Sequence, residues 1–189
     1  MERTADRRGS TFENDFYTSN PSDARLRPPS LISFSLGLTA RAMEPKSLLQ
    51  FLRQRRLAVQ SSVSALNHAQ AAVVGFAVSE AFEIIFDTLD STRKVANLRA
   101  NPRIALVIGG LDAGDERTVQ YEGIADEPSG AELERLTEIY YQVYPDGRTR
   151  RSWPGLIYIR VRPTWIRYSD YNQDPPQITE FDAQALLPA

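Results

Sequence analysis

The 189-residue sequence predicts a mainly β, α+β fold: six or seven antiparallel strands curled into a barrel, with short helices at its ends. Two observations carry this. Several strand-like runs succeed one another with only a turn between them, which suits antiparallel neighbours, whereas parallel strands need a long crossover. Neither a GxGxxG stretch nor a Walker A stretch is present, so nothing marks a parallel nucleotide-binding sheet.

Residues 1–42 differ from the rest of the chain. They hold six arginines, five acids and the turn-rich SNPSDARLRPPS, with no sustained period. They read as a disordered leader or as the product of a misassigned start codon, with LISFSLGL (31–38) a short docking segment at most. The domain is expected to span 43–189. Pro45 suits a first helical turn, Leu48, Leu49 and Leu52 form a stripe, and Arg53, Arg55 and Arg56 sit near the negative end of the dipole. LAVQSSVSA (57–65) reads as a strand and Leu66-Asn67-His68 as a turn. AAVVGFAVS (71–79) is apolar on both faces, as a central strand of a closed sheet would be.

After the turn at Glu80-Ala81 comes the strand FEIIFDT (82–88), then a short helix that Asn101-Pro102 stops. RIALVIGG (103–110) is a strand and LDAGDE a polar loop. RTVQYEGIAD (117–126) is a strand with Gly123 a candidate bulge. Ser129-Gly130-Ala131-Glu132 reads as a capping box for a helix whose face is Leu133, Leu136, Tyr140 and Val143, ending at Tyr144-Pro145-Asp146-Gly147. In LIYIRVRP (156–163), Ile157, Ile159 and Val161 alternate with Tyr158, Arg160 and Arg162. TWIRYSDY continues past Pro163 as a bent or edge strand.

Composition narrows the chemistry. The apolar fraction is 42%, the charged fraction 24% and the net charge −2, so there is no general pull toward nucleic acid or an anionic membrane. Without cysteine there is no disulfide, thiolate catalyst or Cys-ligated metal, and with His68 as the one histidine a His-based metal centre is almost excluded. Asp87, Asp90 and Asp112 do not make a metal-ligand spacing. No run is long enough to span a bilayer and the N-terminal residues lack a signal-peptide core, so a cytoplasmic protein is expected. Redox chemistry here would need a borrowed cofactor.

The stretch FDTLDSTRKVANLRANPRIALVI (86–108) raises the sharpest question. A strand ends at Thr88, and two hydroxyls and two cations come next, at the mouth of a helix. A helix N-terminus offers unpaired N–H groups and a positive dipole end. Asp90 or Ser91 can cap it, Thr88, Ser91 and Thr92 offer hydroxyls, and Arg93 and Lys94 offer cations, so the cluster is suited to a phosphate. Solvated cations in a first turn would oppose the dipole by about 0.3–1 kcal/mol each, and a bound anion reverses that penalty.

FDTLDSTRK, VANLRANPRIALVI and RTVQYEG, in that order, resemble the pyridoxamine 5'-phosphate oxidase-like, FMN-binding split-barrel superfamily, whose segment after the third strand resembles F-x-T-x-x-S-x-K; here Phe86, Thr88 and Ser91 match it, Arg93 takes the last place and Lys94 follows. The resemblance covers most of 45–170 and implies a split β-barrel. It also implies that Thr88, Ser91 or Thr92, Arg93 and Lys94 hold the FMN phosphate, with Thr118 near the flavin ring. It implies a homodimer with two flavins at the interface, each touched by both chains. AAVVGFAVS carries no Arg or Lys, and the C-terminal segment WIRYSDYNQDPPQITEF carries no histidine, both of which the family's true oxidases use. The implication is therefore the fold and the cofactor class rather than vitamin B6 oxidation. Members of the superfamily use F420 or haem instead, and haem would have to draw on His68.

The expected function is an FMN-dependent oxidoreductase acting on a small molecule, with no catalytic side chain named, no metal, no membrane and no nucleic acid. A flavin-binding protein without turnover, or an F420-dependent reductase, fits the same residues. From another class, the segment 147–168 interleaves Arg with Trp and Tyr and could bind single-stranded nucleic acid. Trp153 and Trp165 are candidates for flavin or substrate contact or for plain core packing, and His68 for a surface turn or a pocket wall.

Overall fold

A computed structural model describes residues 43–110 and 113–186. The elements in chain order are α1 (Pro45–Arg53), β1 (Leu57–Val63), β2 (Ala69–Gly75), β3 (Ala77–Val78), β4 (Ile84–Leu89), α2 (Arg93–Ala100), β5 (Arg103–Gly109), β6 (Arg117–Asp126), α3 (Gly130–Val143), α4 (Gly147–Arg150), β7 (Leu156–Asp170), β8 (Gln177–Asp182) and α5 (Ala183–Leu186). The expectations for residues 1–42 and for Asp112 lie outside the described residues.

Every pairing is antiparallel, in the order β2-β1-β5-β6-β7-β4-β3 with β8 added beside β7. The two ends of that order, β2 and β3, are separated only by Phe76, so one bent segment joins them and the sheet curls onto itself. This is the mainly β split barrel. Its interior is filled by Ala58, Phe76, Ile84, Phe86, Leu106 and Ile108, together with Tyr121, Ile159, Val161 and Ile166. Leu48, Phe51 and Leu52 of α1 close part of it, as the stripe on that helix requires. A second cluster forms outside the sheet, where Leu136, Tyr140 and Tyr141 of α3 meet Ala77, Ile85 and Tyr158.

β6 occupies 117–126 as expected, and its register shifts between Glu122 and Gly123. A Cβ on Gly123 would lie 2.4 Å from the carbonyl oxygen of Arg162, so only glycine lets β7 pass so closely. The register skips Thr164, so the extra residue lies on β7 next to Pro163, which has no N–H to give to the ladder.

Several expectations need correction. AAVVGFAVS is not one central strand. It breaks at Phe76, and its first part is the outermost strand of the order, with Val73 61% exposed. The first part of the apolar run therefore lies on an outer strand rather than in the interior. β7 continues through Pro163 to Asp170, but as a strand flanked by β4, β6 and β8, not as an edge. Ser129 is the N-cap of α3 without a side-chain cap bond, because Glu132 turns instead to Arg135 and Arg160. β8, α4 and α5 go beyond the elements that the sequence predicts, and QITEF in particular forms a strand rather than a plain C-terminal segment.

Candidate functional site

The β4–α2 junction gathers the hydroxyl and ammonium groups that the sequence singles out. Thr88 continues the row of Ile84 and Phe86 on the inward face of β4, so its hydroxyl is nearly buried. The chain then turns. Asp90 donates its N–H to the Gly155 carbonyl at 2.8 Å, and Thr92 donates to Leu89 at 3.1 Å. Gly155 has φ +74, and a Cβ there would stand 2.9 Å from an Asp90 carboxylate oxygen, so this close crossing depends on glycine. The N-cap is Thr92, not Asp90 or Ser91, and it makes no side-chain cap bond. The hydroxyl of Thr92 lies 3.4 Å from that of Thr88, and Lys94 donates from Nζ to Thr88 Oγ1 at 3.1 Å.

Lys94 is the unusual member. It has no carboxylate partner among the described residues, and burial pulls its ammonium below its ordinary pKa. It stands in the first turn of α2, where the dipole also disfavours a cation. Ser91 and Arg93 are exposed beside it. The junction thus presents hydroxyls, uncapped first-turn N–H groups and two cations without internal neutralisation.

The opposite face of β4 explains why the junction is held. Tyr140 of α3 donates to Asp87 Oδ1 at 2.8 Å, and Arg150 of α4 donates to Asp87 Oδ2 at 3.0 Å. Burial, reinforced by the Asp87 carboxylate, pushes the Tyr140 hydroxyl well above its usual pKa. Burial opposes the Arg150 charge, but the hydrogen bond and charge of Asp87 outweigh it, so Arg150 is raised. Sequence reasoning missed this network because its members lie up to 63 residues apart.

Thr118 is not beside this cluster within one chain. Thr88 pairs with Ile157 near the start of β7, and Thr118 pairs with Ser169 near its end. Those twelve positions amount to roughly 40 Å of strand contour. Near Thr118 stands a second cationic cluster. Arg117 grips Asp115 with two bonds, of 2.7 and 2.8 Å, and Arg55 adds a third at 2.5 Å. Both guanidinia lie over the Phe51 ring, at 4.5 Å for Arg55 and 5.5 Å for Arg117. Hydrogen bonding from Arg117 holds the Asp115 carboxyl far below the usual range, and the same bond raises Arg117. The spacing of Asp115 and Arg117 was visible in the sequence, but nothing local connects Arg55 to them.

The remaining candidates separate. His68 is exposed in the β1–β2 turn, where its N–H is held by Ser64 Oγ at 3.1 Å. Trp153 is 54% exposed in the turn before β7, so it is not core packing, while Trp165 is half-buried on β7. The six arginines of 147–168 each face a carboxylate within 4 Å: Arg148 with Glu138, Arg150 with Asp87, Arg151 with Glu134, Arg160 and Arg162 with Asp126, and Arg167 with Glu180. That removes the surplus positive charge a nucleic-acid backbone needs. Among the described residues no acid or histidine cluster could hold a metal, and no helix is long and apolar enough to cross a membrane.

The sequence profile of the pyridoxamine 5'-phosphate oxidase family matches residues 45–170. No curated protein matches. Among solved structures, a heme binding protein from Mycobacterium smegmatis superposes with a TM-score of 0.67 at 13% identity, over 78% of this chain and 61% of that one. This chain therefore spans less than two thirds of that protein. A putative pyridoxamine 5'-phosphate oxidase from Listeria innocua gives 0.55 at 19% identity, over 66% of this chain and 96% of the other. HutZ, the heme storage protein from Vibrio cholerae, gives 0.56 at 14% identity, over 65% and 91%. At these identities the likeness is one of fold.

Proposed function

Because the chain belongs to the pyridoxamine 5'-phosphate oxidase family, we propose that it is an FMN-binding oxidoreductase acting as a homodimer on a small-molecule substrate. The observation that carries this is Lys94. A part-buried ammonium bonded only to a hydroxyl, in a helix's first turn, is costly until an anion joins it. The residues fit a phosphate ester: Thr88, Ser91 and Thr92 as hydroxyl donors, Arg93 as a planar fork, Lys94 as a point charge and the first N–H groups of α2. FMN supplies the electron-transfer chemistry when bound. The chain's own part is to anchor the phosphate, to hold the anchor rigid through Asp87, Tyr140 and Arg150, and to keep water away. F420, whose chemistry is also carried by a phosphate-bearing flavin relative, would use the same anchor.

Thr118 enters this reading from the second chain, since one chain keeps it far from Thr88. The surface suited to that second chain is the outer face of β2, β1 and β5. Val73, Val59 and Val107 stand side by side across the three strands, with Val73 61%, Leu57 51% and Val107 45% exposed. Val73→Arg is expected to give a folded monomer by sedimentation that no longer retains flavin. A variant that stays dimeric would remove this face from the reading.

Two of the similar structures are of heme proteins, which favours a second reading, heme binding through His68. That residue lies exposed in a turn, and the Lys94 cluster would then have no role. The visible spectrum of the purified protein separates the two. Flavin bands, or quenching of added FMN fluorescence, are expected; a colourless protein that ignores FMN but acquires a Soret band with heme would overturn the proposal. Consumption of NAD(P)H or reduced F420 by the loaded protein distinguishes an enzyme from a carrier.

A further inference from the structure

A groove of about 480 Å³ lies where α1, β3 and α3 meet, at the end of β4 away from the phosphate anchor, and nothing in the proposed function uses it. Its size is that of a small-molecule site. The floor is apolar: Leu52 from α1, Phe76, Ala77 and Val78 from the β2–β3 bend, and Ile139 and Val143 from α3. The polar members of the lining are Arg53, Arg55, Glu80 and Gln142, two guanidinia to one carboxylate.

The arginines differ in a way that matters. Arg53 and Glu80 form a 2.7 Å pair, but both side chains are well exposed, at 46% and 81%, so the pair is cheap to open. Arg55 is fixed from two directions, by Asp115 on one nitrogen and by the Phe51 ring beneath its plane. Its Nε is buried and has no hydrogen-bond partner among the described residues. The carboxylate partner of Arg55, Asp115, is shared with Arg117, so the guanidinium charge on this side of the groove is only partly offset. Glu80 offers its carboxylate to Arg53 and does not reach Arg55.

The geometry points to a binding site for an amphipathic organic anion, with an aliphatic or flat apolar body on the α1–β3–α3 floor and a carboxylate at Arg53 and Arg55. A cation is disfavoured by the excess of guanidinium at the mouth. A purely apolar ligand would leave the excess guanidinium charge unanswered. The site stands apart from the flavin anchor, since none of its lining residues belongs to the β4–α2 junction.

The test uses octanoate as probe, with octylamine and 1-octanol as comparators of similar body and different charge, titrated into the purified full-length protein by calorimetry. Octanoate is expected to bind at one site per chain, octanol more weakly and octylamine not at all. Gln142→Trp, an exposed position whose ring would enter the groove, and Ile139→Trp should each abolish octanoate binding while circular dichroism stays unchanged. Arg53→Ala should weaken it roughly two- to fivefold. Equal binding of octylamine and octanoate, octanoate binding that survives both tryptophans, or no octanoate binding at millimolar concentration would each overturn the assignment. Flavin retention by Gln142→Trp, read from the visible spectrum, keeps this result separate from the fate of the proposed function.

Discussion

Two clusters of cations stand at opposite ends of the β7 ladder, and only one of them is closed. At the Thr118 end, Arg55 and Arg117 share Asp115, and their flat faces cover Phe51. At the Thr88 end, Lys94 has a hydroxyl for company, and Arg93 has no partner among the described residues. The first arrangement has a carboxylate of its own. The second carries the costs of burial and of the helix dipole with no carboxylate among the described residues to offset them. The difference between these two clusters is therefore an internal counter-charge, not the number of arginines and lysines nearby.

The largest effect expected from breaking this contrast is on the open cluster. Thr88→Val combined with Lys94→Gln should weaken FMN binding roughly 100-fold or more, since a charged and a neutral hydrogen bond to the phosphate are lost together. Fluorescence titration with FMN measures it, and riboflavin, which has no phosphate, should show no such difference between variant and parent. Next comes the closed cluster. Asp115→Asn strands two guanidinia, and about 2 kcal/mol of stability should be lost near neutral pH, read from urea unfolding. The folded Asp115 carboxyl titrates below its unfolded value, so its contribution is present above about pH 4 and fades as pH falls below that. The gap between variant and parent should narrow accordingly on acidification.

The smallest effect sharpens the comparison most. Without ligand, Lys94→Gln should stabilise the protein by about 0.5 kcal/mol, by removing a disfavoured charge from the first turn of α2. Lys94 titrates lower in the folded chain than in the unfolded one. The unfolded chain thus binds the extra proton in that alkaline window, and the parent's deficit should shrink as pH rises through it. Removing a lysine from the closed type of cluster would never stabilise. A Lys94→Gln variant less stable than its parent at pH 7 would show that the ammonium has a counter-charge after all.

Local signals in the sequence carried much of the fold. The end of α2 is set by Asn101-Pro102, and β6 by its alternation, with the register shift beside Gly123. The open cluster was legible for the same reason, because Thr88, Thr92 and Lys94 lie within one strand–turn–helix unit. What escaped was non-local. Asp87 meets Tyr140 and Arg150 only after α3 and α4 have packed on β4, and Arg55 reaches Asp115 across 60 residues. The apolar run AAVVGFAVS misled because composition alone does not distinguish an outer strand with exposed valines from a strand buried in a core. β8 hid behind Asn172 to Pro176, a polar, turn-rich stretch that looks like an ending.

β7 is fifteen residues long, and its two ends carry the two groups that the proposed cofactor must touch. Under the proposed function one copy does not bring both groups onto one mononucleotide, and loading then depends on two polypeptides as well as on the cofactor. Dilution alone should then bleach the protein, even with its anchor intact, and occupancy should climb with polypeptide concentration at fixed free FMN.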